Sequence, residues 1–218
     1  MSHDDFAFEP IPGLPGRPPK GEDILWQGRP DALALAREAL LHNWVIGYFV
    51  LLAVWRVLAT SADYPIGVAL LSGLPFLGLG AIVAGLLYAF AWAQARATVY
   101  TITTARVAMR IGAALSVTLN LPYNWIGSAD LDLRKSGTGT IALKTLGETR
   151  ISYLVCWPHV RPWRMARTQP ALRCIPDAAR VSKLLSDAAE SRLAAPQLTR
   201  RPAEAAEPAD TPGALPAE

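Results

Sequence analysis

Residues able to do chemistry are few and scattered in this chain. Its three histidines, His3, His42 and His159, fall in unrelated segments, and its two cysteines, Cys156 and Cys174, lie far apart with no C-x-x-C spacing. Neither a zinc site nor a disulfide framework is indicated, and the cysteines read as reduced thiols or small core residues. Gly73, Gly78, Gly80 and Gly85 do not match G-x-G-x-x-G and sit in an apolar stretch rather than after a strand. Walker, H-E-x-x-H and G-x-S-x-G motifs are absent. Asp130 and Asp132 alternate with Ala129, Leu131 and Leu133, so they project from the solvent face of a strand. Catalysis needs a nucleophile with a base, a metal cluster or paired carboxylates in a pocket. The expectation is a protein that is not an enzyme, with no catalytic, cofactor-binding or metal-ligating residues.

One segment mixes aromatics with cations: Trp157-Pro158-His159-Val160-Arg161-Pro162-Trp163-Arg164-Met165-Ala166-Arg167. Tryptophan beside arginine favours a lipid headgroup region or a protein interface. Trp157, His159, Arg161, Trp163, Arg164 and Arg167 are therefore candidate partner or lipid contacts. The alternative is that Trp157 closes the core and the arginines around it are solvated. A second candidate surface is the four-residue recurrence Ala81, Gly85, Ala89, Ala93, because small residues at that spacing let another helix approach closely. That helix is either the chain's own first apolar helix, a second copy, or a foreign transmembrane helix. Arg56 is a third candidate, either snorkelling to headgroups or pairing with a partner helix.

The elements that must position these residues follow from length and hydropathy. The chain has 218 residues, enough for one large domain or two small ones. Hydrophobic residues make up 51%, charged ones only 18%, and mean hydropathy is +0.22, against about 25% charge in a soluble chain. The deficit is local, since between Asn43 and Ala97 only Arg56, Asp63 and Arg96 are charged. An ordinary cytosolic enzyme, a disulfide-rich secreted scaffold and a disordered protein are excluded, and a membrane protein with a soluble domain is indicated. A net charge of +3 with a pI near 9.0 is mild for a nucleic-acid binder. The polar, Pro-rich start does not read as a signal peptide.

Residues 1–30 read as a Pro/Gly-rich N-terminal arm, extended and with little helix. Asp31 is a plausible N-cap for a helix carrying Leu33, Ala36, Leu40 and Trp44 on one face. That helix either lies at the bilayer surface or simply extends the first span toward the cytoplasm. Spans are expected at about 44–59 and 66–93. The second stretch makes one tilted or kinked helix through Pro75, with two short helices and three spans as the alternative. Arg29 and Arg37 before the first span, and Arg96, Arg106 and Arg110 after the second, favour two spans with both ends cytoplasmic.

Past Ala97 the periodicity changes to alternation. Strands are expected near Thr98–Thr103, Arg106–Ile111, Leu115–Leu121, Ile126–Leu133, Thr140–Leu146 and Arg150–Cys156, followed by a helix over Pro176–Leu193. That pattern describes an α+β membrane protein: a transmembrane helical hairpin over 31–97, then, over 98–193, a PH-like antiparallel β-sandwich or barrel capped by a C-terminal helix. The Ala/Pro/Glu composition of 194–218 reads as a disordered tail.

Glu9-Pro10-Ile11-Pro12-Gly13-Leu14-Pro15 and Gly21-Glu22-Asp23-Ile24-Leu25-Trp26-Gln27-Gly28-Arg29-Pro30 resemble the opening of the PuhB family of photosynthetic-complex assembly proteins from purple phototrophic bacteria. Tyr100-Thr101-Ile102-Thr103-Thr104-Ala105-Arg106-Val107 resembles the signature of bacterial PH-like (DUF304-type) domains, and Tyr153 to His159 with Arg161-Pro162-Trp163 continues the likeness to PuhB. The resemblance covers roughly residues 7–190. It implies a non-enzymatic assembly factor for the photosynthetic reaction centre and light-harvesting 1 complex, acting by transient contacts with their subunits and with membrane lipids. It also implies an inner (intracytoplasmic) membrane setting and no nucleic-acid partner, and leaves homo-oligomers open. A membrane-anchored lipid-binding or membrane-organising module is the rival reading. Ligation of a bacteriochlorophyll magnesium by His159 is a third use of that imidazole. Trp26, Gly28, Tyr100, Thr103, Arg106 and Gly112 are expected to be fold determinants: Thr103 to Ala105 make a hairpin corner, Arg106 starts the returning strand and Gly112 ends it.

Overall fold

A computed structural model describes residues 11–147 and 151–194. The first ten residues, Arg150 and the tail from 195 onward, expected to be disordered, lie outside the described residues. The elements run β1 (Ile24–Gly28), α1 (Ala32–Ala39), α2 (His42–Ser61), α3 (Ile66–Ala97), β2 (Val99–Thr103), β3 (Arg106–Ile111), β4 (Val117–Pro122), β5 (Ile126–Leu133), β6 (Gly139–Thr145), α4 (Tyr153–Cys156), β7 (Ala171–Ile175) and α5 (Ala178–Ala194).

The strands form two antiparallel sheets, ordered β1-β2-β3-β4 and β5-β6-β7. β-branched and aromatic residues dominate β2, which is buried along its whole length. One core joins Tyr100, Ile102, Val107 and Met109 of the first sheet to Ile141, Leu143 and Leu172 of the second. Helix α5 closes it with Ala178, Val181, Leu185 and Ala188, residues that recur at helical spacing on one face. The arm expected to be merely extended supplies β1, whose Trp26, Gln27 and Gly28 pair with Ile102, Thr101 and Tyr100. The strand-bearing unit therefore begins before the apolar helices rather than at residue 98.

Two expectations are corrected. Arg150–Cys156 is not a strand over its described part. Tyr153–Cys156 is a short helix, whose ends are held by Cys156 N–H donating to the Ser152 carbonyl and Trp157 N–H to the Tyr153 carbonyl. The place beside β6 is taken instead by Ala171–Ile175, which lies past the Trp/Arg segment and was not expected as a strand. The helix opened by Asp31 is real, with the carboxylate accepting from Ala34 N–H at 2.7 Å, but its buried face is Leu35 and Ala36. These pack on Ala91 and Ala95 of α3 and on Cys174 of β7, while Leu33 and Trp44 are exposed. Ala91 and Ala95 of α3 are small enough to seat α1 from one side. Leu41, at φ 53°, separates α1 from α2.

α2 and α3 are both long and apolar enough to cross a membrane, at 20 and 32 residues, or about 30 Å and 48 Å. Pro75 lies inside α3 without ending it, so the 66–93 stretch is one helix, not two.

Candidate functional site

Small residues occupy two faces of α3, and only one is used inside the chain. Ala69, Gly73 and Gly80 are buried, the two glycines against α2. A Cβ at Gly80 would lie 2.7 Å from the Phe49 Cβ, and one at Gly73 would lie 2.9 Å from a Val57 methyl and 3.2 Å from the Ala53 carbonyl oxygen. Ser72 Oγ donates to Thr60 Oγ1 at 3.2 Å near the turn. The recurrence Ala81, Gly85, Ala89 lies off this seam. All three residues are exposed, and nothing lies within 4 Å of where a Gly85 Cβ would be. The chain's own first apolar helix is thus not the partner of that face. Arg56 is exposed at the opposite, turn-proximal end of α2, so it is not brought together with the other candidate residues.

The Trp/Arg segment divides into a pinned half and an open half. Trp157 stacks on Phe90 of α3, with centroids 6.0 Å apart and planes at 27°. His159, a candidate partner or lipid contact, is fully buried. The Tyr100 hydroxyl accepts from Arg173 N–H at 3.2 Å and donates to His159 Nδ1 at 2.6 Å. His159 Nε2–H then donates to Thr98 Oγ1 at 3.0 Å, and Thr98 donates onward to the Gln94 carbonyl at 2.7 Å. Every member is satisfied with one neutral tautomer. Burial, aided by the Arg173 charge, pulls the imidazole pKa down from 6.5 to about 3. Both ring nitrogens are engaged, so neither is free to ligate a metal or meet a partner. Burial also pushes the Tyr100 hydroxyl above the usual phenol range. The network ties the segment to β7 and, through Thr98 and Tyr100, to the end of α3 and the start of β2.

Past His159, Arg161 Nη1 donates to Asp130 Oδ2 at 2.6 Å, which anchors the segment to β5. Trp163, Arg164 and Arg167 remain exposed, with Trp163 86% exposed at φ 62°. Beside this segment a cavity of about 250 Å³ is lined by Glu38, Asp130, Asp132, Arg134, Arg161 and Arg173 among others. Its charges are mutually paired: Arg134 Nε lies 3.2 Å from Glu38 and Arg134 Nη2 lies 3.4 Å from Asp132, while Arg173 reaches Glu38 at 4.0 Å and donates to the Pro158 carbonyl at 3.2 Å. This arrangement locks α1 to the second sheet. Cys174 is buried and, mainly for that reason, its thiol is pushed up to about 12. Burial raises Cys156 too. Among the described residues no group of three or more His, Cys, Asp or Glu is placed to hold a metal.

The signature residues make local contacts at the hairpin corner and at the end of β3. Thr103 Oγ1 accepts from the Ala105 and Arg106 N–H groups at 3.2 and 3.0 Å, closing the corner. Arg106 Nε meets Glu22 at 2.8 Å and so ties the arm to that corner, and the Tyr123 hydroxyl donates to the Thr103 carbonyl at 2.6 Å. Gly112 ends β3 at φ 99°, where a side chain would be strained. Trp26 is half-buried against the core, its ring lying where a Cβ on Gly28 would be.

A family model described as a bacterial PH domain matches residues 31–189. The chain belongs to the bacterial PH domain family. That match takes in α1, α2 and α3 as well as strands β2 to β7, so the apolar helices are part of the family unit. The chain is also 47% identical over 204 residues to a Rhodobacter capsulatus protein described as "Uncharacterized 23.7 kDa protein in puhA 5'region", covering 93% of this chain and 95% of that one. No solved structure matches the chain. Sequence reasoning missed that Phe90, Thr98 and Asp130 meet this segment, because each contact closes over thirty or more residues of chain.

Proposed function

We propose that this bacterial PH domain protein is a non-enzymatic membrane assembly factor for the photosynthetic reaction centre and light-harvesting 1 complex, working by transient contacts with their subunits. In this reading α2 and α3 cross the inner membrane as a hairpin, and the two sheets lie on the cytoplasmic side. The observation that carries it is the relation, over nearly the whole length, to a protein of the puhA 5' region. It agrees with what the E-P-x-P-G-L-P and W-P-H-x-R-P-W segments imply. The geometry supports it in two ways. The face of α3 formed by Ala81, Gly85 and Ala89 is bare after the hairpin has closed, as a surface for a client helix would be. Arg29, Arg37, Arg96 and Arg106 all belong to segments joined to one end of the hairpin, as the positive-inside bias requires.

Deleting the gene in a phototrophic host is expected to lower reaction-centre and antenna complexes while bacteriochlorophyll synthesis continues. Loss of pigment synthesis itself would overturn the reading. Crosslinking in growing cells followed by affinity capture should retrieve reaction-centre or antenna subunits, and resistance of the protein to alkaline carbonate extraction checks its membrane integration.

A further inference from the structure

The depth of the hairpin can be read from its own packing. Gly80 lies opposite Phe49 and Gly73 opposite Val57, so α2 and α3 run antiparallel. Continuing that pairing places His42, where α2 begins, level with about Leu87 or Tyr88 of α3. From Ile66 to that level is about 33 Å of helix, close to a hydrocarbon core of about 30 Å. Aromatics gather at this boundary: Trp44, Tyr88 and Trp92 are exposed there, and the Arg96 guanidinium sits 5.3 Å over the Trp92 ring. Phe90 belongs to the same belt, and Trp157 is stacked on it. The connection between β6 and β7 is therefore held at the height where acyl chains give way to headgroups.

At that height it turns apolar side chains outward. Leu154 and Val155, within a turn of Trp157, are 84% and 56% exposed, and Trp163 is 86% exposed. Trp163 is held at positive φ, a cost a bulky residue bears only where its surroundings fix the backbone. The His159 network and the Arg161–Asp130 pair supply that fixing from the inner side. Arg164 and Arg167 follow Trp163 in the chain, both exposed.

We propose that the 154–167 connection is a membrane foot. Leu154, Val155 and Trp163 enter the headgroup–acyl boundary beside α3, and Arg164 and Arg167 meet the phosphates of anionic lipids. The foot rests on the reading that α2 and α3 span the bilayer. It gives the sheets a second attachment besides α3, so they stand in one orientation to the membrane instead of swinging on one helix. Trp157 and Phe90 set its depth.

The test uses the full-length protein in vesicles of phosphatidylcholine with and without phosphatidylglycerol, carrying spin-labelled lipids. An environment-sensitive fluorophore is attached at Leu154→Cys or Trp163→Cys, at Ile82→Cys as a position within the span, and at Ser136→Cys as a solvent-facing position on the β5–β6 turn. Cys156 and Cys174 are buried and should not label. Labels at 154 and 163 are expected to be quenched by lipids spin-labelled near the headgroup, the Ile82→Cys label by lipids labelled deep in the chain, and the Ser136→Cys label by neither. Arg164→Glu with Arg167→Glu should reduce quenching at 163 at least about threefold in anionic vesicles and leave the Ile82→Cys signal unchanged. If the Ile82→Cys label is quenched while 154 and 163 behave like 136, the foot is overturned and the hairpin stands. The same result would follow if this surface met a protein, since the vesicles hold no other. If the Ile82→Cys label is not quenched, the spanning reading fails and the foot with it.

Discussion

α3 carries two stripes of small residues, and the fold treats them oppositely. Gly73 and Gly80 are buried under α2, so close that Val57 and Phe49 occupy the space a side chain would need. Ala81, Gly85 and Ala89 face open space. The Trp/Arg segment repeats the division: His159 is locked among Thr98, Tyr100 and their partners, whereas Trp163 four residues later is exposed. Residue type and spacing mark a surface that can be approached closely. Whether it is already filled depends on the path of the rest of the chain.

That contrast can be broken most forcefully at its buried side. His159→Ala strips partners from the Tyr100 and Thr98 hydroxyls and leaves a hole. It should cost about 3 kcal/mol, seen as a lowered thermal midpoint in mild detergent. Equal stability of variant and parent would show that the network holds nothing together. Gly80→Leu must push Phe49 away and should destabilise by about 2 kcal/mol, measured the same way.

Acid probes the network more gently. The folded imidazole stays neutral down to about pH 3, while an unfolded one takes a proton near 6.5. The unfolded chain therefore binds more protons within that window. His159 contributes its full stability above about pH 6.5 and loses it as pH falls toward 3, at up to about 1.4 kcal/mol per unit. The difference between the parent and His159→Gln, followed against pH, isolates this slope, and a slope identical in both would refute it. The smallest effect is expected on the bare face. Gly85→Leu should change the stability of the isolated protein by less than about 0.5 kcal/mol, yet weaken crosslinking to reaction-centre or antenna subunits. A large loss of stability would mean the face is filled within the chain after all.

Much of the architecture was legible because it is written in local periodicity. The apolar run with three charges, the alternation after Ala97 and the stripe of Val181, Leu185 and Ala188 each announce an element whose burial follows from its own pattern. Asp31 shows the same for a cap. The Tyr153–Cys156 region misled because Ile151, Tyr153 and Val155 alternate like a strand, while Ile151 and Tyr153 reach the core from a short helix and its approach instead. β7 was invisible because Ala171–Ile175 carries one β-branched residue and, being buried along its whole length, shows no clean alternation.

The sequence by itself determined the two apolar helices, strands β2 to β6, the closing helix and the hairpin corner between β2 and β3, since each depends on neighbours a few residues away. Only the tertiary structure decided which small-residue stripe is occupied, that His159 is a buried pin rather than a contact, and that β1 joins the sheet from the far side of the hairpin. Those outcomes depend on pairs such as Tyr100 with His159, Phe90 with Trp157 and Trp26 with Ile102. Such partners meet only after the chain has closed on itself, and no periodicity within either segment encodes the meeting.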